Sequence, residues 1–161
     1  MNIYTVSFFG HRIIDKPFLV EERIEKIIRD IICSKEYTEF LVGRNGDFDQ
    51  IVSSVIRRLA REYDYGNTAL VLVLPYIRAE YRDNEESFLN YYDDVKICAE
   101  SSGAHFKSAI QICNKTIVDR SDLVVCCVER KSGGAYKTMQ YANKNGKRVI
   151  DIADYDPGDE L

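Results

Sequence analysis

The sequence predicts an α/β fold, a three-layer sandwich in which a mostly parallel sheet lies between two layers of helices. Two observations carry this prediction. Short runs rich in β-branched and aromatic residues alternate along the chain with amphipathic helical segments, which is typical of right-handed βαβ units. One run, Ala69–Leu74, is apolar without interruption, as expected for a strand that is covered on both faces.

Six strands are expected at short apolar runs. The first run stops at Gly10 and the third stops at Pro75, and both residue types commonly end strands. The predicted strands are Ile3–Phe9, Tyr37–Val42, Ala69–Leu74, Val95–Ala99, Leu123–Val128 and Arg148–Ile152. Their carboxyl ends are expected to meet at one edge of the sheet, where ligands of such sheets bind.

Helices are expected between the strands, where apolar residues recur three or four positions apart. Pro17 opens the first helix, Asp47 is placed to cap the second, and Asn145-Gly146 can end the last. The predicted helical segments begin at Pro17 and after Asp47, and cover Glu85–Tyr92, His105–Val118 and the surroundings of Ala135–Ala142.

The length and composition are those of one globular domain. Residues 1–153 are predicted to form that domain, followed by an acidic tail over residues 154–161. The hydrophobic fraction is 45% and the charged fraction is 30%, both ordinary for such a domain. A net charge of −4 argues against nucleic acid or an anionic membrane as a general partner.

The cysteines and the apolar runs indicate where in the cell the protein lies and whether it binds a metal. The five cysteines have no metal-ligand spacing, so we expect reduced thiols and no metal site. The start, Met1-Asn2-Ile3-Tyr4, lacks the basic region of a signal peptide. The longest apolar run, Ala69–Pro75, is too short to span a bilayer. The sequence therefore predicts a cytoplasmic protein without membrane contact.

Three glycine turns each follow a predicted strand and are the strongest functional signal. They are Gly10-His11-Arg12, Gly43-Arg44-Asn45-Gly46-Asp47 and Ser132-Gly133-Gly134. Glycine lets a ligand approach the backbone closely, and a helix start supplies free N–H groups and the positive end of a dipole. The predicted ligand is a phosphate-bearing small molecule.

Specific contacts can be proposed within these turns. Arg12 or Arg44 suits a phosphate or carboxylate, and His11 suits a sugar hydroxyl or acid–base chemistry. Asp47 or Asp49 suits ribose hydroxyls. The ligand-binding residues predicted from the sequence are Gly10, His11, Arg12, Gly43, Arg44, Gly46, Asp47, Ser132, Gly133, Gly134 and Thr138.

The order and spacing of several motifs resemble the SLOG superfamily (the Smf/DprA–LOG group), and in particular its small, single-domain YpsA-like branch. The motifs are Phe8-Phe9-Gly10-His11-Arg12, Gly43…Gly46-Asp47-Phe48-Asp49, Asp119-Arg120-Ser121-Asp122, and Ser132-Gly133-Gly134 with Tyr141-Ala142. The resemblance covers about Ile3 to Ile152. It implies a Rossmann-like sheet and a pocket for a nucleotide or nucleotide-derived ligand, including NAD- or ADP-ribose-like molecules, read by a sensor.

The same resemblance implies two other activities among relatives. LOG enzymes cleave the base–sugar bond of nucleoside monophosphates and carry the signature Pro-Gly-Gly-x-Gly-Thr-x-x-Glu. In this chain the final Glu of that signature falls on Gln140, and an amide cannot do the work of a carboxylate. DprA-type relatives bind single-stranded DNA, which the acidic balance of this chain does not favour.

Three functions therefore stay open at the level of sequence. The first is a nucleotide-binding sensor or regulator. The second is an N-glycosidase or phosphoribohydrolase that uses Asp47, Glu100 or Glu129 in place of the missing glutamate. The third is a homo-oligomeric interaction module, in which the tyrosine-rich segment Tyr76–Asp94 and the helix His105–Val118 bury against a second copy.

Overall fold

A six-stranded parallel sheet organises the structure, which is a computed structural model and describes residues 1–154. The strands are β1 (Ile3–Gly10), β2 (Tyr37–Val42), β3 (Thr68–Leu74), β4 (Asp94–Ile97), β5 (Leu123–Cys127) and β6 (Arg148–Asp151). All neighbouring strands pair in parallel, in the order β4-β3-β2-β1-β5-β6. The predicted α/β fold with a parallel sheet is confirmed.

Helices cover both faces of the sheet. They are α1 (Pro17–Ser34), α2 (Asp47–Tyr63), α3 (Ala79–Asp83), α4 (Glu85–Tyr91), α5 (Ala99–Ser102), α6 (Phe106–Arg120) and α7 (Gly133–Lys144), followed by a 3-10 turn, Ile152–Asp154. One apolar core joins the sheet to α1 and α2, and a second joins it to α6 and α7. Cys127 belongs to the first core and Cys126 to the second, because consecutive strand residues face opposite sides.

The sequence patterns predict which strands and helices form more accurately than they predict where each one begins and ends. The predicted strand Val95–Ala99 is wrong at both ends, since β4 starts at Asp94 and stops at Ile97. The short helix α5 begins immediately afterwards, where the Ser101 hydroxyl donates to the Pro75 carbonyl at 2.6 Å. The predicted last strand is also one residue too long, because Ile152 already belongs to the 3-10 turn.

The tyrosine-rich segment Tyr76–Asp94 contains two short helices, α3 and α4. The helix predicted over Glu85–Tyr92 is confirmed as α4. Phe88 and Tyr92 are buried in the core on the α1–α2 face. These two aromatic side chains are therefore already covered within the chain, and the predicted self-association through this segment stays a prediction.

Two sequence-based expectations concern the chain as a whole. The acidic tail predicted over residues 154–161 lies outside the described residues, apart from Asp154, so its assignment and the domain boundary stay predictions. Within residues 1–154, none of the helices combines the length and the apolar character that crossing a membrane requires.

The strand order fixes where a ligand site can form. From β1 the chain adds β2, β3 and β4 on one side, and then crosses to add β5 and β6 on the other side. The switch point therefore lies between β1 and β5, and ligands of open parallel sheets bind there, outside the carboxyl ends of the strands. Because α6 and α7 run back across the sheet, their N-termini lie at this same edge.

Candidate ligand-binding site

A cavity of about 470 Å³ opens at the carboxyl edge of the sheet, across the switch point. This volume lies within the range of small-molecule sites. The lining residues are Phe8, Phe9, Gly10, His11, Arg12, Leu41, Val42, Gly43, Asn45, Asp49, Val73, Pro75, Lys107, Ile110, Gln111, Cys113, Asn114, Ile117, Arg130, Gly133, Gly134 and Ala135. Among the residues predicted from the sequence, Gly10, His11, Arg12, Gly43, Gly133 and Gly134 come together here.

Two of the predicted glycines are needed for packing within the protein. A Cβ on Gly10 would overlap the ring of Phe48, the first apolar residue of α2. A Cβ on Gly46 would overlap the Cα of Arg12 and lie 2.8 Å from its carbonyl oxygen. The Asp47 N–H donates to that same carbonyl at 2.8 Å. These glycines let the start of α2 pack closely against the end of β1, and Gly46 lies outside the cavity lining.

Arg44 and Asp47 also make contacts within the chain and lie outside the cavity lining. Arg44 forms an ion pair with Glu80 at 3.0 Å and donates to the Tyr92 hydroxyl at 3.2 Å. The prediction that Asp47 caps α2 is wrong, because Gly46 occupies the cap position. The Asp47 carboxylate accepts instead from the Ile14 N–H at 3.2 Å, which ties the loop after β1 to α2.

Asp49 is the carboxylate that the structure places in the cavity. Its Oδ2 accepts from the Asn45 N–H at 2.7 Å, so it closes the turn before α2. Burial raises the pKa of this carboxyl to about 6, although the N–H groups of Asn45 and Gly46 and the charge of Arg78 act in the opposite direction. A half-buried carboxyl whose pKa is perturbed and which lines a cleft is a candidate functional group.

His11 follows β1 and is 5% exposed. Its Nε2 atom has no hydrogen-bond partner within residues 1–154. Burial and the nearby charge of Arg130 lower the pKa of the ring, while Glu129 and Asp151 act in the opposite direction. The imidazole is therefore neutral at pH 7. A buried ring nitrogen without a partner is uncommon in native structures, and His11 is a candidate ligand contact.

The turn after β5 differs from the other two because it faces open space. Gly133 has a φ of +88°, and no other atom lies within 4 Å of the position a Cβ would occupy. A Cβ on Gly134 would meet only the Gln111 side chain, at 3.2 Å. Both glycines begin α7, so their N–H groups are among those that a helix leaves without internal partners. Ser132 precedes them, is exposed and does not line the cavity.

Three cationic side chains line the cavity together with this turn. Arg12, Lys107 and Arg130 all line the cavity and are exposed. Lys107 also lies at the start of α6, where its N–H donates to Nδ1 of His105 at 3.3 Å. Cations and helix N-termini both attract anions, so the cavity is suited to a phosphate group.

Helix α6 supplies polar lining residues that the sequence analysis missed. Lys107, Gln111 and Asn114 lie four and three positions apart and line the cavity together. Their spacing shows that the three share one face of the helix, but it does not show that this face borders the cavity. Thr138, predicted as a ligand contact, is instead buried beneath this row, where its hydroxyl accepts from Asn114 Nδ2 at 3.2 Å.

The catalytic candidates predicted from the sequence lie outside the cavity lining. Glu100 is exposed and accepts from the Cys98 thiol at 3.3 Å. Glu129 is exposed, and so is Asp47. Gln140 is exposed as well, and its Nε2 donates to the Tyr136 hydroxyl at 2.9 Å.

Thiol and metal chemistry find little support at this site. Cys113 lines the cavity, but burial raises the pKa of its thiol to about 12, so almost no thiolate forms at neutral pH. Within residues 1–154, no three His, Cys, Asp or Glu side chains lie in an arrangement that could hold a metal ion. All five cysteines are free thiols.

The chain is similar in structure to two solved forms of DNA processing protein A (DprA). For DprA from Streptococcus pneumoniae the TM-score is 0.64 at 15% identity, over 91% of this chain and 49% of that one. For DprA from Helicobacter pylori it is 0.63 at 13% identity, over 91% of this chain and 63% of that one. The fold is DprA-like. Sequence comparison with protein-family models and with curated proteins finds no match.

The DprA likeness bears on two expectations. DprA is one of the groups that the sequence motifs resemble, and the likeness agrees with that resemblance at the level of the fold. The YpsA-like branch stays a prediction. The Helicobacter pylori protein has a single-stranded DNA binding mode, and the expectation that nucleic acid is not a partner of this chain stays a prediction. This chain spans less than two thirds of the length of either DprA.

Proposed function

We propose that the chain binds a nucleotide or nucleotide-derived ligand in the cavity at the β1–β5 switch point and acts as a sensor or regulator. The observation that carries this proposal is the pairing of two unlike surfaces in one cavity. Gly133 and Gly134 at the start of α7 form an anion-binding end, together with Arg130. Leu41, Val73 and other apolar side chains form the rest of the lining.

The chemistry of a nucleotide matches both surfaces. A phosphate gains charge-assisted hydrogen bonds from N–H groups and guanidinium groups, and each such bond contributes about 1.5–3 kcal/mol. A heteroaromatic base gains from contact with the apolar part. The SLOG-like motifs of the chain favour the same ligand class. We propose that the chain belongs to the YpsA-like branch of that superfamily.

Calorimetric titration with a panel of ligands tests the proposal. The panel contains inorganic phosphate, ribose 5-phosphate, AMP, cyclic AMP, NAD, ADP-ribose and a short single-stranded oligodeoxynucleotide. We expect a mononucleotide or a nucleotide derivative to bind more tightly than inorganic phosphate. Binding of the oligodeoxynucleotide alone would contradict the proposal and would favour a nucleic-acid partner.

Two neighbouring cations provide a matched pair of variants. Arg130 lines the cavity, whereas Lys131 is exposed and lies outside the lining. Arg130→Gln is expected to weaken nucleotide binding about tenfold or more, through loss of a charge-assisted hydrogen bond. Lys131→Gln removes the same charge from the next residue and should leave the affinity within about twofold, as expected for an exposed charge screened by solvent. Equal losses in both variants would indicate general charge attraction without a site at Arg130.

One observation favours a second candidate function, hydrolysis of an N-glycosidic bond. Asp49 lines the cavity and its pKa is about 6, so both its acid and its base form are available near neutral pH. As a base, it would accept a proton from water that attacks the anomeric carbon, and the base–sugar bond would break. As an acid, it would donate a proton to the departing base.

Chromatography for free base after incubation with nucleoside monophosphates tests this candidate. Base release that is lost in Asp49→Asn and kept in Asp47→Asn would support it, because Asp47 lies two residues away and outside the cavity lining. If nucleotides bind and are recovered intact, the chain is a binding protein, and the first proposal stands without the second.

A further inference from the structure

One part of the cavity, here called the cleft, lies between α6 and the sheet. Its walls are apolar: Phe9, Leu41 and Val73 contribute from the strands, and Cys113 and Ile117 contribute from the helix. Phosphates and sugars gain little from such walls, whereas a flat heteroaromatic ring gains from burial against them.

Asn114 is the polar side chain of α6 that lies among these apolar residues. Its Nδ2 donates to Thr138 Oγ1 at 3.2 Å, and Thr138 Oγ1 donates to the Gly134 carbonyl at 2.9 Å. A hydroxyl has one proton. Since the carbonyl of Gly134 takes that proton, Thr138 can only accept from Asn114, and the amide must present its NH₂ group to Thr138.

This hydrogen-bond chain leaves the other half of the Asn114 amide available. Its Oδ1 has no hydrogen-bond partner within residues 1–154. Thr138 is 1% exposed, so it does not touch the ligand space and acts only through Asn114. An amide oxygen that lines a cavity and has no partner within the protein favours a ligand that supplies the missing N–H group.

We propose that the cleft binds the base of the nucleotide and that Asn114 Oδ1 accepts an N–H from that base, such as the exocyclic amine of adenine. Thr138 is a positioning residue that fixes the orientation of the Asn114 amide. This inference rests on the proposed function, because it assumes that the phosphate lies at Gly133, Gly134 and Arg130.

The placement along α6 agrees with one ligand that reaches both ends. Lys107 lies at the mouth of the cavity and Asn114 seven residues further along the helix, which corresponds to about 10 Å of helix rise. A mononucleotide is long enough to put its phosphate at the mouth and its base in the cleft. Gln111 lies between the two, next to Gly134.

Three ligands separate the inference from the proposed function: ribose 5-phosphate, AMP, and purine riboside 5′-monophosphate, which lacks the exocyclic amine. In the wild-type protein we expect AMP to bind about tenfold more tightly than purine riboside 5′-monophosphate, the scale of one lost hydrogen bond from the base. Ribose 5-phosphate, which lacks the ring altogether, should bind more weakly still. Asn114→Ala should lower the affinity for AMP to that for purine riboside 5′-monophosphate. The affinity for ribose 5-phosphate should stay at its wild-type value.

Variants at Thr138 test the positioning role with the same ligands. Thr138→Val keeps the shape and removes the hydroxyl, so the Asn114 amide is free to turn and the preference for AMP over purine riboside 5′-monophosphate should fall. Thr138→Ser keeps the hydroxyl and should retain the preference. Rescue by serine distinguishes positioning from a loss of packing.

The results of these titrations separate failure of the base position, failure of the proposed function and failure of the role of Asn114. If AMP and ribose 5-phosphate bind equally to the wild type, the base lies outside the cleft and this inference is wrong, while phosphate binding stands. If none of the three binds, this inference is wrong, and the proposed function fails with it when the other nucleotides of the panel do not bind either. An unchanged preference in Asn114→Ala overturns the role of Asn114.

Discussion

Glycines in the turns at the carboxyl edge of the sheet serve different purposes on the two sides of that edge. On the β1–β2 side, Gly10 and Gly46 make room for Phe48 and Arg12 of the protein itself. On the β5–α7 side, Gly133 has a positive φ and an open approach to its backbone. We call these the closed side and the open side.

This difference shows that a glycine turn predicts close approach to its backbone but does not predict whether a ligand or another segment of the chain approaches. On the closed side the approaching group is another segment of the chain, so the glycines serve the fold. On the open side the protein leaves the approach free, so the glycines serve a ligand in our account. Four predictions test this contrast, from the largest expected effect to the smallest.

Gly46→Ala should destabilise the fold most strongly. Its new Cβ would meet the backbone of Arg12, which cannot move aside as a side chain can, and we expect a loss of about 3 kcal/mol in the free energy of unfolding. Gly103→Ala is the control, because nothing lies within 4 Å of its Cβ position. Urea denaturation measures both, and equal costs would remove the distinction between the two sides.

Gly133→Val should abolish nucleotide binding and leave cooperative unfolding intact. The side chain blocks access to the N–H groups that start α7, and it adds about 1–2 kcal/mol of backbone strain at a positive φ. Gly146→Val is the control, because it introduces the same kind of backbone strain away from the site. Gly146 has a φ of +70° and an open Cβ position, and it lies outside the cavity lining. Calorimetry should show full binding for Gly146→Val. Binding that survives in Gly133→Val would place the ligand elsewhere.

Asp49 on the closed side should make stability depend on pH. Its pKa is about 6 in the folded protein, against an ordinary value of 3.8. The folded state therefore holds this proton more tightly, so the stabilisation is complete below about pH 4 and is lost as the pH rises to 6. The stability difference between wild type and Asp49→Asn should fall by about 1–3 kcal/mol from pH 4 to pH 7.

The control for this pH dependence is Asp47→Asn, which removes an exposed carboxylate two residues away. Urea denaturation at pH 4, 5, 6 and 7 compares the three proteins. A difference between wild type and Asp49→Asn that stays constant over this range would show that folding does not raise the pKa of Asp49.

Gln140→Ala should have the smallest effect. The side chain is exposed, bonds to the Tyr136 hydroxyl and lies outside the cavity lining. We expect a change in nucleotide affinity of less than about twofold, as for other surface substitutions away from a site. A large loss of affinity, measured by calorimetry, would move the ligand along α7 and away from Gly133.

The fold was accessible from the sequence because its signals are local. Runs such as Ala69–Leu74 carry their own strand pattern, and the spacing of Ala109, Cys113 and Ile117 carries a helix pattern. The strand predicted at Val95–Ala99 is present but ends earlier, at Ile97. The short helix that follows is held by the Ser101 hydroxyl on the Pro75 carbonyl, 26 positions away, and no local pattern records such a contact.

The site was accessible only in part, for the same physical reason. The sequence shows three glycine turns, but only tertiary contacts separate the filled turns from the open one. Asp47 and Asp49 stand two positions apart and look alike in the sequence, yet Asp49 alone of the two lines the cavity. Gln111 and Asn114 were missed because nothing local shows that their helix faces the glycine loop.

Glycine-selective ¹⁵N labelling and NMR titration with AMP test the central claim most directly. The account predicts that the amide signals of Gly133 and Gly134 shift on binding, because their N–H groups meet the phosphate. The signals of Gly46, Gly66 and Gly146, which lie outside the cavity lining, should stay in place. Shifts at Gly46 with none at Gly133 and Gly134 would contradict the account and would put the ligand on the closed side.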